Sequence, residues 1–233
     1  KGGGGGGGDM IASELHRSVG TTLECIGWLS KGCAKLCNAQ SSLLQRALDI
    51  AVSALALLPR ISVVTTSGGK SSSILSSTLL FLHRMLDCLG SGVLPALPQA
   101  LSRMIAATSP PSSTSSSSPS CDVKGVTEVV TLTNQVIARF KTDSELVMVN
   151  VLPDLTRAVL RALDERDRDG LPLIHVKASQ EGRELKDLYK IWLQLLQTSC
   201  IGNLLHIFTI PQLEGLLQPT VLSVCQGMSS NKG

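Results

Sequence analysis

LSSTLLFLHRMLDCLGSGVLPALPQALSRMI, residues 75–105, decides the fold. Leu75, Leu79, Leu82, Leu86 and Leu89 advance by four, three, four and three positions, which places them on one face of a helix. Gly90 then closes that helix as a left-handed cap. A second apolar run, Leu94, Leu97, Leu101 and Ile105, carries Pro95 and Pro98. A proline in a helix interior costs about 3 kcal/mol relative to alanine, so these prolines read as the start of a helix. Either Pro95 is its first residue, or the regular helix begins only at Pro98. The loop between the two stripes is so short that the helices must lie antiparallel, as a helical hairpin.

The rest of the chain supports the same class. Of 233 residues, 43% are hydrophobic and only 3% aromatic, which suits helices packed on helices and not a β-sandwich. So few aromatics also exclude a stacking platform of the kind that reads single-stranded RNA bases. The net charge of +3 decides nothing by itself about nucleic acid, because a patch matters more than a sum. IAVSALALLP, residues 50–59, is the nearest approach to a membrane span and is far too short. The chain opens KGGGGGGG without a methionine, which reads as a piece of a longer protein.

Further stripes run on both sides. Ile11, Leu15, Val19, Leu23, Ile26 and Leu29 lie close to one helical face, with Gly20 and Gly27 weakening it. SSLLQRALDIAVSALALLP, residues 41–59, is a second helical run, and RISVVTTSGGKSSS, residues 60–73, a loop. Past the serine tract, Val126, Val129, Val130, Ile137 and Phe140 make one stripe and Met148, Leu152, Leu155, Val159 and Leu163 the next. Leu185, Leu188, Trp192 and Leu195 precede a last run, IPQLEGLLQPTVLSVCQG, residues 210–227. VLP at 93–95, VLP at 151–153 and TIP at 209–211 recur 58 residues apart, which suggests a repeat punctuated by proline-led helices.

The sequence therefore predicts an all-α fold, an α-solenoid of HEAT-type helical hairpins forming an ARM-like superhelix. Residues 1–8 are expected to be disordered poly-glycine, 9–107 two hairpins, and 108–122 a Ser/Pro-rich disordered insertion. Residues 123–163 form a third hairpin, 164–180 a polar loop and 181–228 a fourth hairpin.

Little here resembles catalytic chemistry. SGGKSS, residues 67–72, has the Gly-Lys-Ser end of a phosphate-binding loop, but Val64 stands where its first glycine belongs. His16, His83, His175 and His206 are isolated from one another and from any nucleophile with an orienting acid. Seven cysteines, an odd number without a C-x-x-C pair, read as reduced thiols. Cys33 and Cys37 share a helix face, yet no histidine pair completes a zinc site. We expect no enzyme, no cofactor and no metal.

The remaining candidates are arginines on the second helices of hairpins, which line the concave side of such solenoids. Arg103 lies opposite the Leu97, Leu101 and Ile105 face, and Arg157 and Arg161 stand opposite Leu152, Leu155, Val159 and Leu163. They are positioned to meet a phosphate backbone in one groove. Ordinary solubilising arginines account for the same pattern.

FLHRM at 81–85, followed by LG and VLP, is similar to a segment of the tRNA exportins of the karyopherin-β (importin-β-like) family. CIGWLSKG at 25–32 resembles the stretch upstream of it and LTNQVIARFKT at 132–142 the stretch downstream, in the same order. LYKIWLQLLQTSCIGNL at 188–204 and VLSVCQG at 221–227 resemble later pieces of the same C-terminal portion. Family members are much longer, and the arch that grips the Ran GTPase would lie outside this chain. The resemblance implies a nuclear export receptor that binds tRNA together with Ran-GTP, passes nuclear pore proteins and shuttles between nucleus and cytoplasm without membrane insertion. This portion would contribute to the tRNA-cradling surface. A HEAT scaffold that binds a protein cargo or an assembly partner is the alternative.

Overall fold

The computed structural model describes residues 6–32, 41–55, 71–108, 121–164 and 180–229. Among these the chain is all-helical, with α1 at Gly6–Gly32, α2 at Ser41–Leu55, α3 at Ser71–Leu89 and α4 at Leu97–Thr108. Then follow α5 at Val123–Phe140, α6 at Glu145–Leu163, α7 at Gln180–Ile201 and α8 at Pro211–Ser229. Short 3-10 turns at Gly90–Val93, Lys141–Ser144 and Leu205–Thr209 join α3 to α4, α5 to α6 and α7 to α8. The helices fall into two compact units, Lys1–Ala107 and Thr108–Gly233.

In the first unit α3 is the central element, packed against α1 and α2. Leu75, Leu79, Leu82 and Leu86 are buried as their spacing requires, but so are Thr78, Phe81 and Met85. The buried arc is wider than one stripe because helices cover α3 on more than one side. Its end is a left-handed cap, with Gly90 at φ +55°.

α1 and α3 run parallel, as the first helices of two stacked hairpins do. Glu24 Oε1 accepts from Ser77 Oγ at 2.7 Å and, further along both helices, the Ser30 carbonyl accepts from Cys88 Sγ at 3.5 Å. The contact face of α1 is Gly20, Leu23, Gly27 and Ser30. It is displaced from the aliphatic stripe read in the sequence, and Leu29 is exposed. The glycines are the contact and not its weakness: a Cβ at Gly20 would stand 3.4 Å from Ser77 Oγ, and one at Gly27 3.8 Å from the Phe81 Cα. Without side chains there, the two helices approach closely.

The second unit repeats the scheme. α5 packs on α7 and α6 on α8, first helix on first and second on second, with α5 also against α6. Val126, Val129, Val130, Val136 and Ile137 of α5 are buried, as are Leu185, Leu188, Trp192 and Leu195 of α7. Asp122 caps α5, its side chain accepting from the Gly125 N–H at 2.9 Å. α7 closes in a Schellman arrangement: the Leu204 N–H donates to the Ser199 carbonyl at 3.0 Å and Asn203 N–H to the Cys200 carbonyl at 3.2 Å. Asn203 takes the left-handed conformation this requires, at φ +60°. Each unit is thus built of stacked helical hairpins, the layering of a HEAT/ARM-type α-solenoid.

Several expectations change. α4 begins at Leu97 with its first backbone bond from Ala100 N–H to the Ala96 carbonyl. Pro98 is therefore its second residue, where the missing N–H has no helical partner to lose. Pro211 is the first residue of α8, as expected. Pro153 is not a helix start: it lies buried inside α6, which begins eight residues earlier at Glu145. The three proline triplets are consequently not equivalent positions of a repeat. At the amino end, Gly6, Gly7 and Gly8 are helical. Adding residues to a helix already formed is much easier than nucleating one, so α1 carries its first turn into the glycine run. Thr108 is the last residue of α4 and belongs to no insertion. Residues 71–73, expected as the end of a loop, are the first residues of α3, and the rest of that loop, residues 109–120 of the serine tract and residues 165–179 lie outside the described residues.

Candidate nucleic-acid interface

α6 presents Arg157 and Arg161 to solvent because Val151, Leu152, Leu155, Val159 and Ala162 occupy the opposite face and are buried. The two arginines are one turn apart, about 6 Å along the axis. Their helix is charge-ordered. Glu145 stands in its first turn and Arg161 in its last, each favourable at that end of the helix dipole. Arg157 Nη1 pairs with Asp154 Oδ1 at 2.7 Å, in a contact about half exposed on both sides. An exposed i, i+3 pair of this kind contributes little to stability, so Asp154 orients Arg157 without committing it. A phosphate reaching this edge exchanges one exposed anion for another.

Arg103 behaves differently. It does point away from the Leu97 and Leu101 face, but toward α2 and not into a groove: its Nη1 donates to the Val52 carbonyl. Val52 lies three residues before Leu55, the end of α2. The half-buried guanidinium thereby ties the second helix of one hairpin to the second helix of the next. Arg103 belongs to the first unit and Arg157 and Arg161 to the second.

A cationic and aromatic cluster on α1 and α3 is a feature that the sequence did not disclose. Lys31 Nζ lies 5.7 Å and Arg84 Cζ 5.8 Å from the centroid of the Trp28 ring. The spacing of Trp28 and Lys31 hinted at a shared helix face, but Arg84 arrives from the stacked helix, which local spacing does not reveal. Among the described residues no group of three or more His, Cys, Asp or Glu side chains is placed to hold a metal ion. No described helix is long and apolar enough to cross a membrane.

With stacked hairpins, exposed arginines and no metal-binding group among the described residues, comparison with known proteins becomes informative. The chain is similar to exportin-T. It is 27% identical to exportin-T of Arabidopsis thaliana over 163 residues, covering 70% of this chain and 15% of that protein. To exportin-T of Oryza sativa subsp. japonica it is 25% identical, covering 64% of this chain and 14% of that one. To exportin-T of Pongo abelii it is 27% identical, covering 56% and 12%. The chain thus spans 12–15% of the length of these curated relatives. No family model matches it, and no solved structure matches it significantly.

Proposed function

We propose that this chain is part of a nuclear export receptor that carries tRNA from nucleus to cytoplasm together with Ran-GTP. In this reading it is a segment of the helical surface that cradles the tRNA, and the receptor meets nuclear pore proteins as it shuttles. The observation that carries the reading is the similarity to exportin-T from two plants and a primate, over more than half of the chain each time. Stacked hairpins suit this task, since a row of helices recognises a folded RNA by shape and by phosphate contact, without a base code and without catalysis.

Within the segment, Arg157 and Arg161 are the proposed phosphate contacts. Arg103 is reassigned to joining α2 and α4, because its guanidinium is engaged at the Val52 carbonyl. The test is selective retention: the immobilised chain is equilibrated with total RNA, with and without Ran-GTP, and bound RNA is sized and sequenced. Enrichment of tRNA over other small RNAs is expected. Equal retention of all RNAs, or of none, contradicts the reading.

One observation favours the second reading, a scaffold for a protein partner. Leu217, Val221 and Leu222 of α8 are exposed along a helix with little charge, a surface suited to a protein and not to phosphate.

A further inference from the structure

We infer that Trp28, flanked by Lys31 and Arg84, is a single-base stacking site for RNA: an unpaired base lies on the indole while the two cations neutralise the phosphates beside it. The inference rests on the RNA reading above and gives it a second, chemically different contact in the first unit.

Three observations converge on this site. Trp28 is 59% exposed, whereas the chain's other tryptophan, Trp192, is fully buried. Lys31 Nζ and Arg84 Cζ stand over the Trp28 ring, 5.7 Å and 5.8 Å from the centroid, so a base reaches the indole by taking the place of a cation that moves to the phosphate beside it. Arg84 reaches the ring over Gly27, where the position of a missing Cβ lies only 3.5 Å from Arg84 Cγ. The nearest acid one turn back on α1, Glu24, has its Oε1 engaged by the Ser77 hydroxyl.

The site brings together residues from CIGWLSKG and FLHRM, two of the segments that carry the family resemblance, across the α1 and α3 contact. An exposed indole with two cations offers both halves of single-strand recognition, a π-face for a base and positive charge for the backbone. The low aromatic content noted above rules out a row of such sites, but not one. An acidic peptide would use the cations and leave the indole without a planar partner, so RNA is the better fit.

The experiment uses the two tryptophans. tRNA, and separately a short oligouridylate, is titrated into the whole chain while tryptophan emission and the anisotropy of the labelled RNA are recorded together. RNA binding is expected to quench the Trp28 component and leave that of buried Trp192. Trp28→Phe should abolish most of the quenching while Trp192 emission and circular dichroism report an intact fold. Trp28→Ala is expected to weaken RNA binding about tenfold. Arg84→Glu with Lys31→Glu should weaken it at least as much and reduce its salt dependence. If RNA binds but Trp28 emission and the affinity of Trp28→Ala are unchanged, the stacking site is wrong and the RNA reading stands. Absence of any RNA binding at low salt overturns both. Equal quenching by polyglutamate would make this an anionic-peptide site and overturn the inference.

Discussion

Asn203 turns the chain out of α7 at φ +60°, a conformation that a Cβ disfavours and that an asparagine or a glycine accepts. Asn203→Ala is expected to lower the stability of the chain by about 1 kcal/mol and Asn203→Gly to leave it nearly unchanged, measured by urea denaturation. Gly90, the matching cap on α3, was legible in the sequence because a glycine directly after a leucine stripe marks where the helix stops. Asn203 was not, since it sits in a run without a stripe to mark the helix end. Arg103 was legible only by direction. Periodicity shows which way a side chain leaves its own helix, but not that a carbonyl of a neighbouring helix stands there to accept from it. Because it bonds the Val52 carbonyl, Arg103→Ala should cost about 1.5–3 kcal/mol in a denaturant titration and leave the salt dependence of RNA binding unaltered.

Helices pack by what their surfaces allow, and in α1 the packed face is displaced from the hydrophobic stripe. Close approach to α3 selects Gly20, Leu23, Gly27 and Ser30, of which the stripe contained Leu23, while Val19 and Ile26 are half-buried and Leu29 is exposed. A Cβ at Gly27 would meet Arg84 Cγ at 3.5 Å and the Phe81 Cα at 3.8 Å, ordinary contact distances. Gly27→Ala therefore has room and should stabilise the chain by up to about 1 kcal/mol through helix propensity. Gly27→Leu has no room and should lower stability by about 1–3 kcal/mol, with a lower thermal midpoint to show it. The proline pattern misled for a related reason. Pro98 and Pro211 do sit at helix starts, but Pro153 is buried within α6, where tertiary packing holds a helix together through a residue that propensity alone would exclude.

Two units of stacked hairpins, with fully buried leucines, valines and a tryptophan between their helices, account for a composition rich in aliphatic residues and poor in aromatic ones. Fold class was readable because leucine stripes of helical period admit few alternatives. The proposed interface was less so, because phosphate contacts need only exposed cations, and these look the same when they merely solubilise. Solenoid helices cover one another in series, and α8 keeps Leu217, Val221 and Leu222 exposed. Leu217→Glu with Val221→Glu is expected to reduce self-association of the chain at high concentration, as followed by light scattering, with helicity retained. The central claim, that this segment meets the phosphates of a tRNA along α6, is tested most directly by the salt dependence of tRNA affinity. Comparing the chain with its Arg157→Glu, Arg161→Glu variant, the slope of log affinity against log salt should become shallower by about 1.5–2, with weaker binding at every salt concentration. An unchanged slope and affinity would contradict it.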